Sequence, residues 1–138
     1  MRTYLLDTNI CIDAMKGAFP AIAERMQSLD PDTIGIPSIV WAELLTGAAK
    51  SRRPDRTLEV VRRFVDPLRV VPFDAAAAHH YARVRAELEG AGEPIEPNDL
   101  IVAATALAAQ ATLVTRNGRE FGRVSGLECE DWTVSGST

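Results

Sequence analysis

The sequence has few cysteines and histidines, and it has no long hydrophobic run. Its two cysteines, Cys11 and Cys129, form neither a CxxC pair nor a Cys/His pattern, so neither a zinc site nor a disulfide framework is indicated. The adjacent His79 and His80 would point about 100° apart on a helix and chelate a metal poorly. No apolar run approaches the ~20 residues of a membrane helix, and no signal peptide is visible. We therefore expect a reduced, cytoplasmic protein.

The sequence also lacks the phosphate-binding loops of nucleotide-binding proteins. The segment "LLDTNICID" after the first apolar run contains no G-x-G-x-x-G, and no P-loop is present. An enzyme that forms an aspartyl-phosphate on its own Asp7 would need a second Asp two residues later and a lysine partner. No Asp stands at that position, and the only lysines of the chain are Lys16 and Lys50. These absences argue against a Rossmann-type protein, a P-loop protein and an aspartyl-phosphate enzyme.

What the sequence does have is an alternation of short apolar runs with longer helical patterns. It is 46% hydrophobic over 138 residues, which excludes disorder and suits a single domain spanning residues 1–138. Strands are predicted at Tyr4–Leu6, Ile34–Ile36, Val70–Val71 and Leu113–Thr115. Helices are predicted near Ile10–Met15, Ala21–Ser28, Ser38–Ala49, Arg56–Val65, Ala75–Glu89 and Asn98–Gln110. This order predicts an α/β fold whose mainly parallel sheet is covered by helices on both faces.

Two acidic residues adjoin apolar segments, and each taken alone has an ordinary explanation, such as a turn cap for Asp7. Asp7 directly follows the first strand, so it would lie at the carboxyl edge of a parallel sheet, where ligands bind. Glu43 lies in "PSIVWAELLTGA", on a helix for which Ser38 is a candidate N-cap. No basic residue lies three or four positions from Glu43, so its alternatives are a distant arginine, solvent, or a site that requires charge.

Two further regions repeat this pattern. Asp99 falls in the first turn of a nearly uncharged, Ala-rich helix that must be buried on most sides, with Asn98 as its candidate N-cap. Asn117 and Glu120 follow the last predicted strand. Converging carboxylates would repel one another, and a hard divalent cation removes that repulsion. Bound Mg²⁺ or Mn²⁺ would also activate water and neutralise the negative charge of a phosphodiester. We therefore interpret Asp7 as a metal ligand.

The net charge of −4 argues weakly against a general nucleic-acid binder, but the basic residues are clustered. The stretch "KSRRPDR" places Lys50, Arg52, Arg53 and Arg56 just after the helix that carries Glu43. Two interpretations remain open for it, a solvated surface and a patch that faces RNA phosphates.

Four motifs together resemble the PIN-domain family and, within it, the VapC toxins of bacterial toxin–antitoxin pairs. They are "YLLDTNICID", "PSIVWAELLTGA", "PNDLIVAATA" and "LVTRNGREFGRVSGLECEDW", and they span nearly the whole chain. The resemblance implies a three-layer α/β/α sandwich of four to five strands. It also implies a homodimer, a Mg²⁺- or Mn²⁺-dependent endoribonuclease that cuts tRNA or rRNA, and a cognate VapB-type antitoxin that blocks the site.

Carried over by motif, the catalytic and metal-binding acids would be Asp7, Glu43, Asp99 and Glu120, with Asn117 a neutral contributor. Supporting polar contacts would come from Thr8, Asn9, Ser38 and Thr115. The alternative function is a catalytically weak PIN-like module that binds RNA or protein. The RNA target, the number of metal ions and the identity of the antitoxin are left open.

Overall fold

Five short strands form one parallel sheet in the computed structural model, which describes residues 1–134. The strand order is β3-β2-β1-β4-β5, and every neighbouring pair is parallel. The strands are β1 Tyr4–Leu6, β2 Ile34–Pro37, β3 Arg69–Val71, β4 Thr112–Val114 and β5 Cys129–Glu130. Residues 135–138 of the predicted domain lie outside the described residues.

Within residues 1–134, seven helices and one 3₁₀ turn, Pro31–Thr33, connect the strands. The helices are α1 Thr8–Lys16, α2 Pro20–Gln27, α3 Ser38–Ala49, α4 Pro54–Val65, α5 Ala75–Gly90, α6 Pro97–Ala108 and α7 Gly118–Phe121. The predicted α/β class, the parallel sheet and the order of four strands and six helices are confirmed. Sequence patterns missed α7 and β5, because four and two residues are too short to show a period.

The strand order fixes where a ligand can bind. After β1 the chain adds β2 and then β3 on one side of β1. After β4, which lies on the other side of β1, it adds β5 farther along that second side. Right-handed crossovers therefore place α1–α4 on one face of the sheet and α5–α7 on the other. At the point where the direction reverses, the loops after two adjacent strands separate and leave a crevice. Here that point lies between β1 and β4, so the loops that begin at Asp7 and Thr115 border it.

The strands that border the crevice are apolar and buried. Leu5 and Leu6 of β1 and Leu113 and Val114 of β4 are completely buried, as central strands covered on both faces require. Helix α6 is buried along most of its length, as its composition predicted. Gly35 of β2 allows close approach of β3, because a Cβ there would lie 2.7 Å from the Arg69 carbonyl oxygen.

Two predicted helix caps are wrong. Pro37 is the N-cap residue of α3, and Ser38 is already its first helical residue. Glu96 caps α6 in place of Asn98, and its side chain accepts a hydrogen bond from the Asp99 amide. Pro97 explains the second case, because proline favours the first helical position and so leaves the preceding residue as the cap. Within residues 1–134 no helix has the length and apolarity needed to cross a membrane.

Candidate active site

Asp7 is fixed at the mouth of the crevice by its own backbone and by the start of α1. Its amide donates to the Val114 carbonyl at 3.1 Å, which continues the pairing of β1 with β4. Its carboxylate caps α1 by accepting from the Ile10 amide at 2.9 Å. Only 8% of Asp7 is exposed, and this burial raises the pKa of its carboxyl group. Contact with the Thr115 hydroxyl and the nearby Arg116 oppose the rise.

Asp99 and Glu120 lie in contact with one another. Burial raises the pKa of Asp99 to about 8, and the adjacent Glu120, with which it can share a proton, contributes next. Glu96 and Asp7 add smaller repulsions. When both carboxyl groups are ionised, Glu120 Oε1 is buried without a hydrogen-bond partner. A shared proton or a bound cation would relieve the repulsion between the two carboxylates.

Glu43 contacts the start of α1 through a neutral hydroxyl. The Thr8 Oγ1 hydroxyl donates to Glu43 Oε1 at 3.1 Å, and Thr8 directly follows Asp7 in the chain. Within residues 1–134 Glu43 has no ion-pair partner, so the alternative of a distant arginine does not apply. Glu43 also borders an apolar groove between α1, α3 and α4.

The predicted supporting residues take different places. Thr115 is 1% exposed and contacts the Asp7 carboxylate, while its Oγ1 accepts from the Asn117 amide at 2.9 Å. Asn9 and Asn117 are exposed, and Ser38 is half-buried at the start of α3. The structure thus gives Thr8 and Thr115 specific contacts with site acids.

Sequence reasoning missed two charged residues of this region, Glu96 and Asp13. Glu96 caps α6 and faces Asp99, and the "EPND" pattern with proline at the first helical position could have revealed it. Asp13 is 9% exposed on the inner face of α1. It lies three residues from the buried Ile10, and this helical spacing could have predicted that Asp13 is buried too. Arg116 Nε lies 3.0 Å from Asp13 Oδ2. No short-range pattern links these two residues.

The donor set suits a hard divalent cation. Among residues 1–134 no three carboxylate, thiol or imidazole side chains stand ready as a metal cage. Mg²⁺ does not require one, because it is commonly held by one or two carboxylates together with water and substrate phosphate. The partnerless Glu120 Oε1 beside Asp99 supplies the negative oxygen pair that such an ion needs. Asp7, Glu43, Asp99 and Glu120 remain predicted ligands.

The basic stretch forms a separate surface, which we call the basic corner: Lys50, Arg52, Arg53 and Arg56. It occupies the turn from α3 to α4, and Lys50 follows Glu43 by seven residues, or about 10 Å along a helix. Three of its arginines line a depression that also includes Thr57 and Val60. In the described chain none of its four cations has an ion-pair partner. Thr57 and Val60 also line the apolar groove beside Glu43, so the two surfaces are continuous.

The five-stranded parallel sheet with acids at its switch point defines a PIN-type nuclease fold, and residues 4–127 match the PIN domain family. The chain is 42% identical over 133 residues to the tRNA(fMet)-specific endonuclease VapC of Shigella flexneri, covering 96% of this chain and 100% of that protein.

Solved structures agree with this match. The DNA-bound VapBC of Salmonella typhimurium aligns with a TM-score of 0.90 and 41% identity, over 96% of this chain and 99% of that one. VapBC2 from Rickettsia felis, bound to a promoter DNA fragment, aligns with a TM-score of 0.89 and 37% identity, over 94% and 98%. The chain therefore belongs to the PIN-domain family and to its VapC group, and the resemblance seen in the four motifs is confirmed. PIN-domain nucleases generally depend on a divalent metal.

Proposed function

We propose that this chain is a VapC-type toxin, a metal-dependent endoribonuclease that cuts tRNA or rRNA in the cytoplasm. One observation carries the proposal: Asp99 lies in contact with Glu120 and within electrostatic reach of Asp7, and burial together with these acids raises the pKa of Asp99 to about 8. A group that stays partly protonated until a cation arrives is suited to binding one.

Asp7, Asp99, Glu120 and Glu43 would hold Mg²⁺ or Mn²⁺, which supplies an activated water and neutralises the phosphodiester. Thr8 and Thr115 orient the carboxylates of Glu43 and Asp7 through their hydroxyls. Without a cation the acids would repel an RNA backbone, so metal binding and substrate binding are coupled. General affinity for RNA would come from the basic corner, whose cations are exposed and unpaired.

The same charge distribution favours a VapB-type antitoxin as inhibitor. A basic side chain of the antitoxin would enter the acidic site and displace the metal, because a guanidinium matches carboxylates bidentately. Apolar residues beside it would fill the groove of about 250 Å³ between α1, α3 and α4, which Ile12, Met15, Leu44 and Val61 help to line. A homodimer completes the proposed assembly. Inhibition that survives neutralisation of every basic residue in the inhibiting segment would refute this mode of binding.

The test is RNA cleavage by the purified chain with Mg²⁺, with Mn²⁺ and with a chelator. We expect cleavage with either metal, none with the chelator, and restoration when metal is added back. Metal-independent RNA binding without cleavage would favour the non-catalytic module and overturn the nuclease proposal.

A further inference from the structure

Arg116 lies at the exit of β4, within electrostatic reach of the acidic site. It follows Thr115, whose hydroxyl contacts Asp7, and its positive charge lowers the pKa of Asp7. The four cations of the basic corner belong to the turn between α3 and α4, on the far side of the groove. Arg116 is therefore placed to contact a phosphate that binds beside Asp7.

The Arg116 side chain is held from two sides. Its Nε lies 3.0 Å from Asp13 Oδ2, an acid whose side chain is only 12% exposed. Its guanidinium carbon lies 5.3 Å from the centre of the Phe19 ring, within range of a cation–π contact. Both partners come from α1 and the segment that follows it. Holding a long side chain in place reduces the rotamer entropy that is lost when a ligand binds.

The held guanidinium still has unused donors. Its side chain is 46% exposed, and in the described part of the chain no aligned hydrogen-bond acceptor engages it. Within residues 1–134 the contact of Arg116 Nε with Asp13 Oδ2 is an ion pair at 3.0 Å that lacks the alignment of a hydrogen bond. Guanidinium presents five N–H donors in a planar fork that fits phosphate oxygens. An arginine with a purely structural role would direct more of these donors into the protein.

The position of Asp13 is otherwise unfavourable. It is a buried acid that adds repulsion at Asp7, where the charge density is already high. The ion pair with Arg116 explains why an acid occupies this buried position. We propose that Arg116 binds the RNA phosphate at the cleavage site, held by Asp13 and Phe19 so that its free guanidinium edge faces the substrate beside Asp7. The proposal rests on the proposed ribonuclease function.

The test measures RNA affinity across a salt series in an Asp99→Asn background, which prevents cleavage. Arg116→Gln should weaken binding about tenfold and flatten the salt dependence by about one unit, as expected when one charged phosphate contact is lost. Arg116→Lys keeps the charge and loses the fork, so it should retain the slope and lose part of the affinity. The matched control is Arg2→Gln, the same change in charge before β1, at the opposite edge of the sheet.

The proposal is overturned if Arg116→Gln binds RNA with the same affinity and the same salt dependence as Arg2→Gln. This holds even if the melting temperature of Arg116→Gln is lower. If Arg116→Gln fails to fold, Arg116→Lys decides, because an unchanged affinity in that variant overturns the proposal. These outcomes differ from failure of the nuclease function itself. If the unmodified chain neither binds nor cuts RNA with Mg²⁺, both proposals fall. If it cuts RNA and the Arg116 variants bind normally, only this one falls.

Discussion

The acidic site and the basic corner carry opposite charges and also hold them in opposite ways. At the site, Asp7 is 8% exposed and its carboxylate accepts from the Ile10 amide, while Asp99 has a pKa of about 8 and its amide donates to the Glu96 carboxylate. At the corner, Lys50, Arg52, Arg53 and Arg56 are exposed and have no ion-pair partner within residues 1–134. Contacts within the fold therefore fix the acids of the site, whereas the cations of the basic corner extend from the surface.

This difference predicts which changes each region tolerates. Buried, coupled charges strain the folded state, and their energy depends strongly on the charge of each neighbour. Exposed charges contribute little to stability and are screened by salt. Substitutions at the site should change chemistry, metal affinity and stability together. Substitutions at the corner should change only RNA affinity and its dependence on salt.

The largest expected effect is on cleavage. Asp7→Asn or Asp99→Asn should lower the rate of RNA cleavage by about a hundredfold or more, because each removes a negative ligand from the site. Circular dichroism should show the fold retained. Asp66→Asn is the control, an exposed acid at the end of α4. Cleavage at the normal rate in Mg²⁺ by either site variant would show that the acid is not needed.

A smaller effect concerns metal affinity and pH. Asp99 is mostly protonated below its pKa of about 8, so a cation that binds there must displace a proton. Metal affinity should therefore weaken by about tenfold for each pH unit below 8 while one proton is displaced. Calorimetric titration with Mn²⁺ at several pH values measures this dependence. The Asp99→Asn variant should show a weaker affinity with a flatter dependence on pH, and an equally steep dependence would assign the proton to another group.

The sequence predicted the elements of this molecule better than it predicted their contacts. The burial of α6 followed from its Ala-rich, uncharged composition, and the position of Asp7 followed from an apolar strand that ends in an acid. Both are local patterns. The four motif acids come from four separate segments, and the order of strands at the sheet brings those segments together.

What the sequence could not supply was long-range pairing. Asp13 and Arg116 are more than a hundred positions apart, and only the adjacency of β1 and β4 brings them into contact. Glu96 was missed for a different reason. The amide of Asp99 needs a cap, and the position of Pro97 passes that role to Glu96 rather than to Asn98.

The basic corner should show a moderate effect on RNA binding. Arg52→Ala together with Arg53→Ala should weaken RNA affinity several-fold and flatten its salt dependence, while metal binding is unchanged. RNA affinity is measured across a salt series in an Asp7→Asn background, and metal binding is measured separately in the otherwise unmodified chain. Arg83→Ala together with Arg85→Ala on α5 is the control, since these arginines pair with Glu87 and Glu89. An unchanged slope and affinity would leave the corner as a solubilising surface or a contact for the antitoxin.

The smallest expected effect is on stability, and its sign separates the two regions. In the unfolded chain Asp99 ionises near its ordinary pKa of 3.8, but in the metal-free folded protein it retains its proton up to about pH 8. Between these values the folded state binds more protons, so this group lowers stability as pH rises, and the loss is complete above about pH 8. Asp99→Asn cannot ionise, so its melting temperature should exceed that of the unmodified chain increasingly from pH 5 to pH 8. Arg52→Gln, at the exposed corner, should leave the melting temperature unchanged across the same range. Thermal melts in chelator measure both variants. A stabilisation by Asp99→Asn that stays constant with pH would mean that Asp99 is ionised throughout this range, and the coupling with Glu120 would then be wrong.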